Sequence, residues 1–331
     1  MPTRCGEPTF VGPTSYLTRC HGGGSCGSNG EMKIPRPRVS PLEVSDDRAF
    51  ARPGMSRPAL RMLPIAVRAE GVRRAGVVGG AEVALLDNVT LSVPRGRFTA
   101  VTGPSRSGAS MLLRCLGGLD PVNAGRVLAG DVDLALLDEA RLARLRRERF
   151  GFVAKERDLI PSLTVRQNVT IPAGVDGRTT DGAWVEAVLE TTGLAGLQTH
   201  RTAEVPPSVW VRIACAKALV RRPEIVFADP AEGSHRGEVV VPGEGIGSGE
   251  HEGWREASRV VLPLVLREAA TRLGPAVIMA THDPAGAARA DTVVSLCGGR
   301  VAGVLSNPTT DRVRALVAAG EDGAGGEETP A

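Results

Sequence analysis

Aromatic side chains are scarce in this chain of 331 residues, at 3% of the total, and its one tyrosine is Tyr16. No ring occurs between Phe50 and Phe98, so that stretch holds no platform on which a planar base stacks. Long apolar runs are missing as well. The densest candidate, residues 260–266, is short and interrupted by Pro263, which excludes a membrane span of about 20 apolar residues. The first 31 residues, rich in Gly, Cys, Thr and Ser, lack the basic start and apolar centre of a secretory signal. The six cysteines, Cys5, Cys20, Cys26, Cys115, Cys215 and Cys297, include no C-x-x-C pair, which removes the common zinc and redox spacings. Cys20 and His21 lie near Cys5 and Cys26 without matching a ligand pattern, and the expectation is reduced, unpaired thiols. A strong charge excess is absent too. The net charge is +3, and the basic cluster at 141–149 reads as a solvated helix face; no nucleic-acid partner is expected.

What is present is a body able to bury a sizeable core, with 42% apolar residues. Residues 1–62, rich in Gly and Pro, read as a disordered leader. From 63 to 304 the chain alternates β-like runs, at 98–102, 225–228, 276–280 and 292–296, with helical patterns. That alternation predicts an α/β fold with a mainly parallel sheet covered on both faces. The Gly- and Glu-rich stretch 233–253 reads as a mobile insertion. Residues 305–331 read as a C-terminal helix and a disordered tail, Gly- and Glu-rich after Ala318. The glycines between Gly243 and Gly249 suggest a dinucleotide loop, but no strand-to-helix context surrounds them.

The residues with the clearest chemical meaning are Gly103, Pro104, Ser105, Arg106, Ser107, Gly108, Ala109, Ser110 and Met111. They stand between an apolar β-like run and an apolar helical opening, as a phosphate-binding loop does. In such a loop backbone N–H groups wrap the phosphates, a lysine reaches the β and γ oxygens, and a hydroxyl holds Mg²⁺. The turn and the hydroxyl of Ser110 are here, whereas Ala109 occupies the lysine position. On spacing alone the segment also reads as an ordinary Gly-Ser turn.

Further landmarks follow in order: Leu116-Gly-Gly-Leu-Asp-Pro121, Arg146-Arg-Glu-Arg-Phe-Gly-Phe-Val153, Leu159-Ile-Pro-Ser-Leu-Thr-Val165 with Gln167-Asn-Val169, Arg212-Ile-Ala-Cys-Ala-Lys-Ala-Leu-Val220, Arg222-Pro-Glu-Ile-Val-Phe-Ala-Asp229, and Ile278-Met-Ala-Thr-His-Asp-Pro284. Together they resemble the ATP-binding subunit of ABC transporters of the lipoprotein-release and macrolide-export type, over about residues 64–304. The resemblance implies a P-loop NTPase, ABC-type nucleotide-binding domain with a helical subdomain at about 136–222. It implies ATP and Mg²⁺ as ligands, a dimer of nucleotide-binding domains, and transmembrane permease subunits as partners. It implies a cytoplasmic location, peripheral to the inner face of the plasma membrane.

Residue by residue, the resemblance implies Ser110 and Asp229 at the metal and His282 at the γ-phosphate. Five positions depart from the family's pattern besides Ala109. Pro230 follows Asp229 where the general-base glutamate belongs, and Glu232, two residues on, lies past a proline that changes its direction and reach. Lys155 stands where the Q-loop glutamine is expected, as a solvated lysine or a replacement cation. Ser208, within Val205-Pro-Pro-Ser-Val209, aligns with the signature loop, whose prolines remove backbone donors. Ala75 falls near the adenine-stacking tyrosine. Arg106 replaces a glycine, adding strain and also a cation. The expectation is an ABC-type subunit weak in ATP binding and impaired in hydrolysis, acting as scaffold or regulator. The alternatives are a working transport ATPase with replacement residues, and a soluble interaction protein or decaying paralogue.

Overall fold

The structure is a computed structural model that describes residues 64–78, 81–153, 158–174, 181–230 and 248–324, with backbone alone at 77–78, 81–82, 248–251 and 321–324. The leader expected at 1–62, Lys155, Glu232 and most of the expected insertion lie outside the described residues.

The strands are β1 (Ile65–Val78), β2 (Ala81–Pro94), β3 (Phe98–Thr102), β4 (Ala124–Ala129), β5 (Val132–Asp133), β6 (Phe150–Phe152), β7 (Ile225–Ala228), β8 (Ala276–Ala280), β9 (Thr292–Cys297) and β10 (Arg300–Ser306). The helices are α1 (Ala109–Leu116), α2 (Glu139–Arg149), α3 (Val165–Gly174), α4 (Gly182–Thr191), α5 (Pro207–Leu219), α6 (Ser248–Leu273), α7 (Pro284–Ala287) and α8 (Thr310–Ala324). Six strands form one sheet in the order β10-β9-β3-β8-β7-β6. All its pairings are parallel except β9 with β10.

Alternate residues of the parallel strands feed two cores. Val226 and Ala228 of β7, with Val277 and Met279 of β8, pack toward α5 and α6, whereas Ile225, Phe227, Ile278 and Ala280 pack toward α1 and the second sheet. A strand buried on both faces needs apolar residues at every position, which is why these strands read as continuous apolar runs. Each fully buried Val, Ile or Phe is worth about 1.5–3 kcal/mol. Phe227 also stacks on Phe152 and meets Phe150 edge-on, both at 5.3 Å between ring centres.

The second sheet was not expected. It is antiparallel, in the order β2-β1-β4-β5. Its long strands escape a pattern reading because they carry turn-type residues in mid-course: Gly71 at φ 59° and Asn88 at φ 54° sit where the β1–β2 register shifts. Such bulges interrupt period-two alternation. Gly71 N–H donates to Thr90 Oγ1 at 2.9 Å across the irregularity.

Two boundaries also differ from expectation. Helix α6 begins at Ser248, inside the stretch read as an insertion, and its Trp254 is buried in the core with α5. Tertiary packing there outweighs the low helix propensity of Gly249 and Gly253. Helix α8 continues past Ala318 to Ala324, although that stretch is glycine-rich.

At the amino end of the parallel sheet, Glu224 accepts from Arg149 Nε at 2.7 Å and Nη2 at 2.8 Å, and from Arg95 as well. Burial pushes the Glu224 carboxyl up, but the two guanidinium groups more than offset this and hold it below the usual glutamate value.

Candidate functional site

Strands β3, β7 and β8 end side by side at the carboxyl edge of the sheet, where open α/β sheets bind ligands. Gly103 follows β3, Asp229 follows β7, and Thr281 and His282 follow β8. Residues dispersed over 180 positions of sequence therefore meet because of strand order.

The loop 103–108 has the backbone of a phosphate cradle. Gly103 has φ 153°, and a Cβ there would lie 2.1 Å from the Leu296 carbonyl oxygen. Gly108 has φ 96°, and a Cβ there would lie 2.6 Å from the Leu85 carbonyl oxygen. Only glycine fits either place. Ser107 N–H closes the turn on Pro104 O at 3.0 Å, and Ser107 O accepts from Gly299 N–H at 3.1 Å. Gly299 O in turn accepts from Asp87 N–H at 2.9 Å. The β9–β10 turn and β2 thus clamp the loop from outside. The sequence signal for that clamp was the Gly298-Gly299 pair, an ordinary turn marker with no hint of what it touches.

Helix α1 opens directly behind the loop, with Gly108 as its N-cap and no side chain capping it. Its first N–H groups and the positive end of its dipole favour an anion. The Ser107 hydroxyl is buried and has no hydrogen-bond partner among the described residues. These features fit a phosphate. The cation does not follow: Ala109 is 5% exposed and belongs to the core between α1 and the sheets. Met111 packs against the same core, while Pro104 and Ser110 are half-buried and Ser105 and Arg106 exposed.

His282 turns toward the loop, its Nδ1 lying 2.9 Å from Gly103 O. A carbonyl only accepts, so Nδ1 donates. The histidine is thus tied to the first residue of the cradle. Asp229 and Pro230 are both half-buried at the end of β7. No group of three or more His, Cys, Asp or Glu suited to a metal occurs among the described residues. Ser110 and Asp229 would therefore hold Mg²⁺ only together with phosphate oxygens, as Mg²⁺ commonly is.

The remaining predicted positions lie on other elements. Pro206 caps α5 without a side-chain hydrogen bond, Pro207 is its first residue, and Ser208 is half-buried. Ala75 lies in β1, its N–H donating to Asn123 Oδ1 at 2.8 Å. Cys115 and Cys215 are buried thiols, each pushed up to about 12 chiefly by burial.

One residue that the sequence did not single out organises the loop before α3. Asn168 is fully buried. It accepts from Ile160 N–H at 2.9 Å and donates to Ile160 O and Thr202 Oγ1, both at 2.8 Å. Exposed Ile160 and Pro161 are thereby presented on a fixed turn.

Known proteins share this arrangement. Residues 86–232 match the sequence profile of the ABC transporter family. The lipoprotein-releasing system ATP-binding protein LolD of Shewanella oneidensis is 32% identical over 72% of this chain and 96% of its own length. The chain belongs to the ABC transporter family, as an ATP-binding subunit. The macrolide export ATP-binding/permease protein MacB of Chromobacterium violaceum is 33% identical over 77% of this chain, but over only 37% of its own length. The dimeric structure of MJ0796, a bacterial ABC transporter cassette, aligns with a TM-score of 0.56 at 25% identity, covering 73% of this chain and 99% of that one. The P-loop NTPase fold of the ABC type, with its parallel sheet and flanking helices, is therefore this subunit's fold. No helix among its described residues is long and apolar enough to cross a membrane.

Proposed function

We propose that this ABC subunit retains a phosphate cradle, binds MgATP weakly, and is deficient in hydrolysis, serving on a transmembrane permease as a scaffold or regulator. The observation that supports this reading is the contrast at the start of α1. The backbone is shaped for phosphate by Gly103 and Gly108, while the buried Ala109 occupies the place of the lysine. A charge-assisted hydrogen bond is worth about 1.5–3 kcal/mol, so its absence lowers affinity about ten- to a hundredfold.

Hydrolysis loses more. Pro230 carries no carboxylate to orient water, and a positioned general base typically contributes about 10² to 10⁴ in rate. Pro206 and Pro207 bring no N–H to the start of α5, the element that in this family faces the partner's nucleotide. Ala75 offers no stacking ring. Ser110 and Asp229 remain for Mg²⁺, and His282 for the γ-phosphate end, with Ser208 the one hydroxyl left in the signature segment. A bound nucleotide would supply further oxygen ligands for that metal through its phosphates.

The likeness to LolD, to MacB and to the dimeric cassette supports pairing of two nucleotide-binding domains and docking on permease subunits at the inner membrane face. Ile160 and Pro161, held by Asn168, are the surface we assign to the permease.

Calorimetric titration of the full chain with MgATP, together with ATP turnover beside an Asp229→Ala control, tests the reading. Weak, metal-dependent binding and turnover equal to the control are expected. Turnover well above the control would show a working ATPase, and no binding at any concentration would leave the cradle without a ligand.

A further inference from the structure

We propose that Arg106 is the cation of this phosphate loop, taking over from outside the turn the charge that Ala109 does not provide. The inference rests on the nucleotide-site reading above and names a residue within it.

Arg106 has φ 66°, a left-handed conformation that glycine adopts freely and a long side chain rarely does. The strain is imposed by the frame around it. Its neighbour Ser107 is anchored to Gly299 and to Pro104, and Gly108 is wedged against Leu85 and Gly299, so the turn cannot relax around the arginine. Strained residues held in place by their surroundings cluster at ligand sites.

The side chain is exposed, and among the described residues it makes no ion pair. Most other arginines near the cores are engaged: Arg95 and Arg149 with Glu224, Arg300 and Arg73 with Asp87, Arg114 with Asp120. A guanidinium pairs with two phosphate oxygens at once, which an ammonium does not. The buried Ser107 hydroxyl, unpartnered among the described residues, lies next to Arg106 in the chain and marks the same turn as incomplete without a ligand. A cation three residues upstream of Ala109, on a clamped turn, suits a polyphosphate chain that runs over the loop.

Stability and binding should then move in opposite directions. In Arg106→Gly the turn loses its strain, and the full chain should melt a few degrees higher. If the arginine meets phosphate, affinity for MgATP and for inorganic tripolyphosphate falls about tenfold or more in the same variant. Arg106→Gln, which keeps the strain and removes the charge, should lose affinity equally without the gain in melting temperature, and Arg106→Lys should recover part of it. Arg106→Gly that binds MgATP as tightly as the natural chain, or more tightly, overturns the proposal. So does a natural chain that binds neither probe. In that case Ala109→Lys separates the two ideas: restored binding preserves the nucleotide-site reading without Arg106, and continued failure removes both.

Discussion

Replacing Asn168 by alanine probes the turn that presents Ile160, and its cost follows from three hydrogen bonds. The side chain satisfies the N–H and the carbonyl of Ile160 and the hydroxyl of Thr202. Thr202 is 3% exposed, so its hydroxyl would be left in a dry site, at about 1–3 kcal/mol. The Ile160 groups are nearer solvent, since the residue is 43% exposed, and water replaces part of what they lose, leaving about 0.5–1 kcal/mol each. The sum is about 2–5 kcal/mol. Urea unfolding followed by tryptophan fluorescence measures it, because Trp210 Nε1–H donates to Thr202 O at 2.9 Å and so reports on the same network. The midpoint should fall with an unchanged slope, and amide exchange at 159–164 should rise ahead of the rest of the chain. Asn168→Asp keeps the acceptor for Ile160 N–H but buries a charge, and should be no more stable than the alanine variant. A destabilisation below about 1 kcal/mol with unchanged exchange at 159–164 would refute the reasoning, since the buried amide would then be dispensable.

Three further outcomes follow from the geometry. Gly103→Ala places a methyl 2.1 Å from the Leu296 carbonyl oxygen, so it should cost roughly 2–5 kcal/mol, by thermal unfolding, from strain and overpacking. Cys115 and Cys215, with thiols pushed up to about 12, should stay unreactive toward a thiol reagent at pH 8 until urea unfolds the chain, and labelling of the folded protein would contradict their burial. Glu224 has a lowered folded value, so its ion pairs stabilise the chain above the ordinary glutamate value and are lost as pH falls below about 4.3. The stability gap between the natural chain and Glu224→Gln should therefore be widest near neutral pH and shrink in acid; a gap independent of pH would show that Glu224 acts by packing alone.

Much of the nucleotide fold was legible because parallel strands buried on both faces leave apolar runs that need no context. The runs at 98–102, 225–228 and 276–280 coincide with β3, β7 and β8. The antiparallel sheet was not legible, because Gly71 and Asn88 look like turns to a local reading and become bulges only when two strands pair across them. Helix α6 crosses glycines and Pro263 for a similar reason: Trp254, Leu262 and Leu266 bury themselves against α5, and packing outweighs propensity.

The candidate site divides along the same line. Sequence alone determined which groups the loop contains: glycines at 103 and 108, a hydroxyl at Ser110, no lysine at 109, and proline after Asp229. These are covalent facts, and chemistry that needs a missing group is missing whatever the fold. Tertiary structure alone decided what those groups meet. It set the Gly298–Gly299 turn and β2 against the loop, and tied His282 to Gly103 O. It buried Ala109 in a core and held Arg106 in a strained, exposed turn. Such contacts join residues far apart in the chain through strand order and backbone geometry, quantities that no local window of sequence contains.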